Sequence, residues 1–310
     1  SVHSIKNFDL RKVKNDNKDA EAIAKLAKYQ DVKLSLVPEP QILALRMMVR
    51  EYFALADTLT EIKNRLCTDL YLLFPGFLNI FSDPFGKTAL AVLREYPSPK
   101  AIRQADREHL TTLIAASARK GLAWASKKVE ALVETSNLTH AMPAELSVLH
   151  SKIAIHLDTI FQLQNSQLAI EKQLHEMVHA EDFPADARQY IELLDDMPGV
   201  GFITAATLVT EIGDFSLFKS PKALVAFFGI DPSVNQSGKF TGDGQPINAV
   251  LREFYQKKCV NKKKKVALVA VMHKLLHYMF AVLRDGRPYQ VRRPEQHQTW
   301  RQDKLQLVAT

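Results

Sequence analysis

Residues 191 to 240, IELLDDMPGVGFITAATLVTEIGDFSLFKSPKALVAFFGIDPSVNQSGKF, decide how this chain is read. An apolar helix ends at Asp195-Asp196, a Pro-Gly-Val-Gly turn follows, and a second helix begins at once. Gly199 and Gly201 have access to backbone angles closed to other residues. The first N–H groups of the following helix then have no partner within it and point toward whatever sits on the turn, an arrangement suited to a phosphate. The segment therefore reads as a helix-hairpin-helix that grips a nucleic-acid backbone. An αα-hairpin that merely needs glycines to turn fits the turn alone equally well.

The chain has 310 residues, 46% of them apolar and 24% charged, within the usual range for a folded protein of about two domains. Cys67 and Cys259 are its two cysteines, too few and too far apart for a disulfide framework or a zinc site, which fits a reducing cytoplasm. No apolar stretch is expected to reach membrane-spanning length, and no signal peptide opens the sequence. The charge is unevenly placed. Residues 239 to 310 hold 15 Lys+Arg against 5 Asp+Glu, while residues 1 to 238 hold 26 against 29. The net charge of +7 thus comes from the C-terminal quarter, where Lys257, Lys258 and Lys262, Lys263, Lys264, Lys265 cluster. A charge run can be a plain solvated face. Next to a helix-hairpin-helix it is the expected footprint for a polyanion.

Outward from that segment the pattern is mainly α. Residues 16 to 29 should be helical, Val37-Pro38-Glu39-Pro40 is a break, and one long helix spans 41 to 73 with Leu45, Met48, Tyr52, Leu55, Leu59, Ile62 and Leu66 at spacings of three and four. Helices are expected at 85 to 95, 99 to 105 and 107 to 136. A second long helix spans 143 to 179, with the stripe Leu146, Leu149, Ile153, Leu157, Ile160 and Leu163. Two helices with narrow stripes form either an antiparallel coiled-coil hairpin or a dimerisation arm, unless they simply pack inside the chain. Residues 291 to 310 have no periodicity and read as a tail.

The sequel of the glycine turn, Gly229-Ile230-Asp231-Pro232-Ser233-Val234-Asn235-Gln236-Ser237-Gly238-Lys239-Phe240, makes the segment specific. From Met197 to Phe240, and again from Asn248 through KKVALVAVMHKLLHYMFAVLRDGRPY to Tyr289, the chain resembles DEDD-type insertion-sequence transposases with a C-terminal serine, the bridge-RNA-guided recombinases. A shorter match, Lys14-Asn15-Asp16-Asn17-Lys18-Asp19-Ala20, is similar to the last acidic motif of that family's RNase H-like domain. The resemblance implies four regions: the end of an RNase H-like α/β domain at 1–36, a helical and coiled-coil region at 37–185, a C-terminal α domain with the helix-hairpin-helix and serine motif at 186–290, and the tail.

It also implies chemistry. Asp16 and Asp19, three apart at a helix start, share a face. Their residue types suit helix capping as well as a hard cation. In the family they correspond to the third and fourth acids of a Mg²⁺ site, and Ser237 to the nucleophile, with Ser233 as runner-up and Lys239 as a cation for phosphate charge. DNA, a structured noncoding guide RNA and a homo-oligomer (dimer or tetramer) are the implied partners, in the cytoplasm and without a membrane. Gly199, Gly201 and Lys262 to Lys265 would bind the nucleic acid. His273 and His277, four apart, lack the rest of a metal motif and are assigned no chemistry.

Two departures stand out. The family's first and second acids have no counterpart here, which would follow from N-terminal truncation. After Phe240 the family continues through Lys-Arg-Gly into a basic Leu-Arg-Arg-Ala-Leu helix, whereas here residues 241 to 247 lead straight to Asn248-Ala249-Val250-Leu251. The chain therefore reads either as a transposase with an apparent internal gap or as a nucleic-acid-binding remnant with an incomplete active site.

Overall fold

The computed structural model describes residue 24 and residues 38–139, 146–229 and 248–300. Two compact units divide at Glu39. The first, Ser1–Glu39, lies almost wholly outside the described residues, and with it the expected RNase H-like segment and both Asp16 and Asp19. The second unit, Pro40–Thr310, is built of α and 3₁₀ helices, with no strand among the described residues.

Its frame is a pair of 34-residue helices, α1 (Pro40–Leu73) and α6 (Leu146–His179). They run antiparallel. Gln41 at the start of α1 donates to Asp182 just past the end of α6, and Asp69 near the end of α1 meets Lys152 near the start of α6. Of the readings open for these two helices (an antiparallel coiled-coil hairpin, a dimerisation arm or packing inside the chain), the structure shows antiparallel pairing with each other inside one chain. Ile42, Leu45, Val49, Leu59, Leu66 and Leu70 are buried on α1, and Ile153, Leu157, Ile160, Leu174 and Val178 on α6. Between Val49 and Leu59, and between Ile160 and Leu174, neither helix buries a side chain. The pair therefore has a waist with a core at either end.

One core packs α1 and α6 against α2 (Lys87–Glu95), α3 (Pro99–Gln104), α4 (Arg107–Ala118) and α5 (Leu122–Leu138) around Phe74, Phe77, Leu93, Ile114 and Leu132. Side-chain caps place these helices: Ser98 accepts from Ala101 N–H and Asp106 from Glu108 N–H. The continuous helix anticipated over 107–136 is in fact two. Arg119 takes a left-handed backbone (φ 51°), and the chain restarts at Gly121. Lys120-Gly121 follows a residue able to close a helix, a signal that apolar periodicity does not carry.

The other core joins the opposite end of the pair to α7 (Ala185–Asp195), α8 (Phe202–Ile212), α9 (Pro221–Phe227) and α11 (Lys264–Asp285). Preceding α11 is α10 (Ala249–Asn261), capped by Asn248 and packed on α11. Residues 294–300, read as tail, form a further helical turn, with His297 against Tyr278. A second correction concerns α11, which at 22 residues is long and apolar enough to cross a membrane, contrary to the expectation that no stretch approaches that length. Ala267, Leu276, Met279, Phe280, Val282 and Leu283 are buried, so packing within the core already uses this apolar face.

Asp69 is the buried acid of the frame. Lys152 Nζ lies 2.6 Å from Oδ1, and His156 Nδ1 lies 3.2 Å from Oδ2 without an aligned hydrogen bond. An acid in an apolar seam is favourable only in the register that supplies these partners. Asp69→Ala is expected to lower stability by about 2–3 kcal/mol, because Lys152 loses its acceptor and His156 the carboxylate beside it. Lys152→Ala, at a half-exposed position, should cost less than about 1 kcal/mol. Urea denaturation followed by circular dichroism checks the ordering.

Candidate nucleic-acid interface

The glycine turn joins α7 to α8. Helix α7 closes at Asp196, Met197 N–H donates to Leu194 O at 3.0 Å, and Val200 N–H to Met197 O at 2.9 Å. Met197 and Val200 are buried under the turn while Gly199 and Gly201 are exposed. Gly199 has φ +94°, a conformation that disfavours any side chain. Gly201 differs from expectation: its φ of −97° and ψ of 166° are ordinary extended backbone. Its glycine is not demanded by geometry. A methyl there would meet nothing within 4 Å, so what Gly201 provides is bare backbone at the start of α8, with no side chain to cap the first N–H groups.

Two further groups hold α8 that periodicity does not identify. At its C-terminus Arg46 Nε donates to Thr210 O at 2.8 Å, and Arg50 grips Glu211 at 2.9 and 3.0 Å. Cations here complement the negative end of the helix. The hydrogen bond from Arg50 holds the Glu211 carboxyl below the usual range against the opposing effect of burial. At the N-terminus the His175 ring stacks on Phe202 with centroids 3.6 Å apart. Arg46 and Arg50 stand one turn apart in the sequence, but nothing there names a partner some 160 residues away.

The lysine cluster falls at one junction. Lys262 ends α10, Lys263 precedes α11, and Lys264 and Lys265 form its first residues. Lys262, Lys263 and Lys264 are exposed, and Lys265 is half-buried. No acid stands in the first turn of α11 and no side chain caps it. Four ammonium groups thus sit on the positive end of a long helix, where repulsion is relieved by an anion. Asp195 and Asp196, by contrast, are exposed beside the glycine turn and repel a phosphate. The electrostatic weight therefore lies with the lysine junction, and the turn contributes directed N–H groups.

Ser233, Ser237 and Lys239 lie outside the described residues, as does the departure at 241–247. The helices on either side are described: α9 and α10 both pack on α11. Asn248 caps α10 through Leu251 N–H, and its amide donates to the hydroxyl of Tyr289 at 3.2 Å. Beside α9, burial first, then the neighbouring His273 ring and the Lys222 ammonium, hold His277 below the usual histidine range. Its Nε2 is buried without a hydrogen-bond partner. Among the described residues no group of three or more His, Cys, Asp and Glu is placed to hold a metal ion.

Comparison with known proteins addresses the same segments. Residues 1–75 match a transposase family model of the DEDD, IS110 type, and residues 191–254 match the model for the transposase IS116/IS110/IS902 family. The chain is 25% identical over 306 residues to the insertion element IS110 uncharacterized 43.6 kDa protein of Streptomyces coelicolor, covering 91% of this chain and 73% of that one. It is 28% identical over 234 residues to the insertion element IS116 uncharacterized 44.8 kDa protein of Streptomyces clavuligerus, covering 74% of this chain and 55% of the relative. A pilin gene-inverting protein of Moraxella bovis is 28% identical over 159 residues, 44% of this chain and 48% of its own. The likenesses are thus to transposases and to a gene-inverting protein. The two models and the two insertion-element proteins are of the IS110/IS116 type, to which the chain is similar over those segments.

Two predictions follow the geometry. Gly199→Ala forces a side chain into positive φ and should destabilise by about 1–2 kcal/mol. Gly201→Ala should stay within about 0.5 kcal/mol of the parent while weakening nucleic-acid binding in a gel-shift titration. His277 is neutral in the fold, so its contribution is fully present above the unfolded value of about 6.5 and is lost as pH falls toward its lower folded value. Thermal melts below neutral pH should show this decline, and His277→Gln should flatten it.

Proposed function

We propose that the chain is a serine-dependent recombinase of an insertion element, guided by a structured noncoding RNA and acting as a homo-oligomer. The observation that carries it is the placement of the two family matches. Residues 1–75 include Asp16 and Asp19, and residues 191–254 include the glycine turn, Ser237 and Lys239. In this reading the Ser237 hydroxyl attacks a DNA phosphorus. The bond from phosphorus to a sugar oxygen breaks, that oxygen leaves with a proton, and a phosphoserine ester joins protein to DNA. The phosphodiester is exchanged for another ester, so the strand can be rejoined to a new end by the reverse attack.

Asp16 and Asp19 offer hard carboxylate oxygens three residues apart, a donor set that fits Mg²⁺, which keeps several waters and needs few protein ligands. A divalent ion bound there would polarise the scissile phosphate. The chain's own residues supply the remainder. Lys239 neutralises phosphate charge next to the serine, the α8 N-terminus receives a backbone phosphate, and the lysine junction of α11 holds the duplex or the guide by charge.

A suicide DNA substrate with guide RNA and Mg²⁺ tests this directly. A covalent adduct mapping to Ser237 by peptide mass is expected, lost in Ser237→Ala with binding nearly unchanged. Neutralising Lys262 to Lys265 should weaken binding across sequences and reduce its dependence on log salt by about 0.7–0.9 per lysine. An adduct that persists in Ser237→Ala, or that maps to Ser233, defeats the assignment. Salt-sensitive binding with no adduct under any condition supports the remnant reading instead.

A further inference from the structure

The break at Arg119 to Gly121 has a structural result away from both family matches. It sets the end of α4 and the start of α5 against the first turn of α2 around an open cavity of about 430 Å³. Lys87, Thr88, Ser117, Lys120, Trp124 and Lys128 line it. Lys120 Nζ lies 5.4 Å from the centroid of the Trp124 ring and Lys128 Nζ 5.7 Å. Trp124 is half-buried, so the ring is fixed yet partly open, while Lys87 and Lys120 are exposed. Lys128 is also tied to Ile80 O. Helix α2 begins at Gly86, which brings no side chain to its first N–H groups. Asp83 is the one acid of the lining, and its Oδ1 already accepts Phe85 N–H at 2.9 Å.

The geometry points to a pocket for one nucleotide of a single strand. The base stacks on Trp124, and the adjoining phosphate lies between Lys87 and Lys120, away from the Asp83 carboxylate beside Gly86. The volume suits a small ligand rather than a paired helix. Both ammonium groups lie over the ring, so a base stacks there as the exposed Lys120 swings aside. An aromatic ring flanked by cations is how proteins hold unpaired bases without reading their sequence. An acidic peptide would use the lysines but leave the indole without a flat partner. The inference rests on the reading of the chain as a nucleic-acid enzyme and adds a site on its helical region.

The test uses the full chain carrying Trp300→Phe, which leaves Trp124 as the sole tryptophan. Short oligo(dT), short oligo(U) and a duplex of equal length are titrated while indole emission is followed. Labelled oligonucleotides report affinity by anisotropy. Saturable quenching by a single strand and not by duplex is expected, stronger quenching by oligo(U) or by oligo(dT) assigning the site to RNA or DNA. Trp124→Ala should weaken single-strand affinity about tenfold and Trp124→Phe should restore most of it. Lys87→Gln with Lys120→Gln, both at exposed positions, should lower the salt slope by about 0.7 per lysine. The variant neutralised at Lys262 to Lys265 should still show quenching. Oligonucleotides that bind with Trp124 emission unchanged, and with parental affinity in both pocket variants, overturn the pocket and leave the nucleic-acid reading standing. Absence of binding in every arm overturns both.

Discussion

The antiparallel pairing of α1 and α6 is the constraint on which the second unit rests. A 34-residue helix extends about 51 Å, and most helical stability in proteins comes from packing an apolar face rather than from propensity. Each helix buries its own narrow stripe against the other and against the shorter helices at the two ends. Asp69 adds selectivity, since its partners Lys152 and His156 are at hand in one register. Among the described residues, α8 of the candidate interface is mounted on this frame. Arg46 and Arg50 of α1 hold the end of α8, and His175 of α6 holds its beginning.

Much of this frame was legible as periodicity. The stripe at Leu45, Leu59 and Leu66 marked the buried side of α1, and Ile153, Leu157 and Ile160 that of α6. Val49 and Leu70 lay outside the chosen stripe because a long straight helix drifts relative to any fixed repeat. The elbow at Arg119 was missed because apolar periodicity runs through residues 107 to 136 and only the single Gly121 interrupts it. A left-handed arginine is a local decision that tertiary packing makes. The helical turn at 294–300 was missed for a related reason: it is short, and a contact such as His297 with Tyr278 belongs to the fold rather than to the local sequence.

Of the candidate interface, the turn between α7 and α8 and the lysine junction were readable because both are local. Glycine marks backbone freedom, and four consecutive lysines mark charge. That Gly199 uses its freedom and Gly201 does not was beyond sequence, because both angles were open to either residue. The role of Arg46 and Arg50 depends on a pairing across about half of the chain, which no window of residues displays.

The waist has a consequence for motion. Between Val49 and Leu59 on one helix, and Ile160 and Leu174 on the other, no side chain is fully withdrawn from water. Amide exchange there is governed by the opening of a bare two-helix segment, while the two cores set higher opening free energies at either end. Local opening is then expected to be easiest in this middle section.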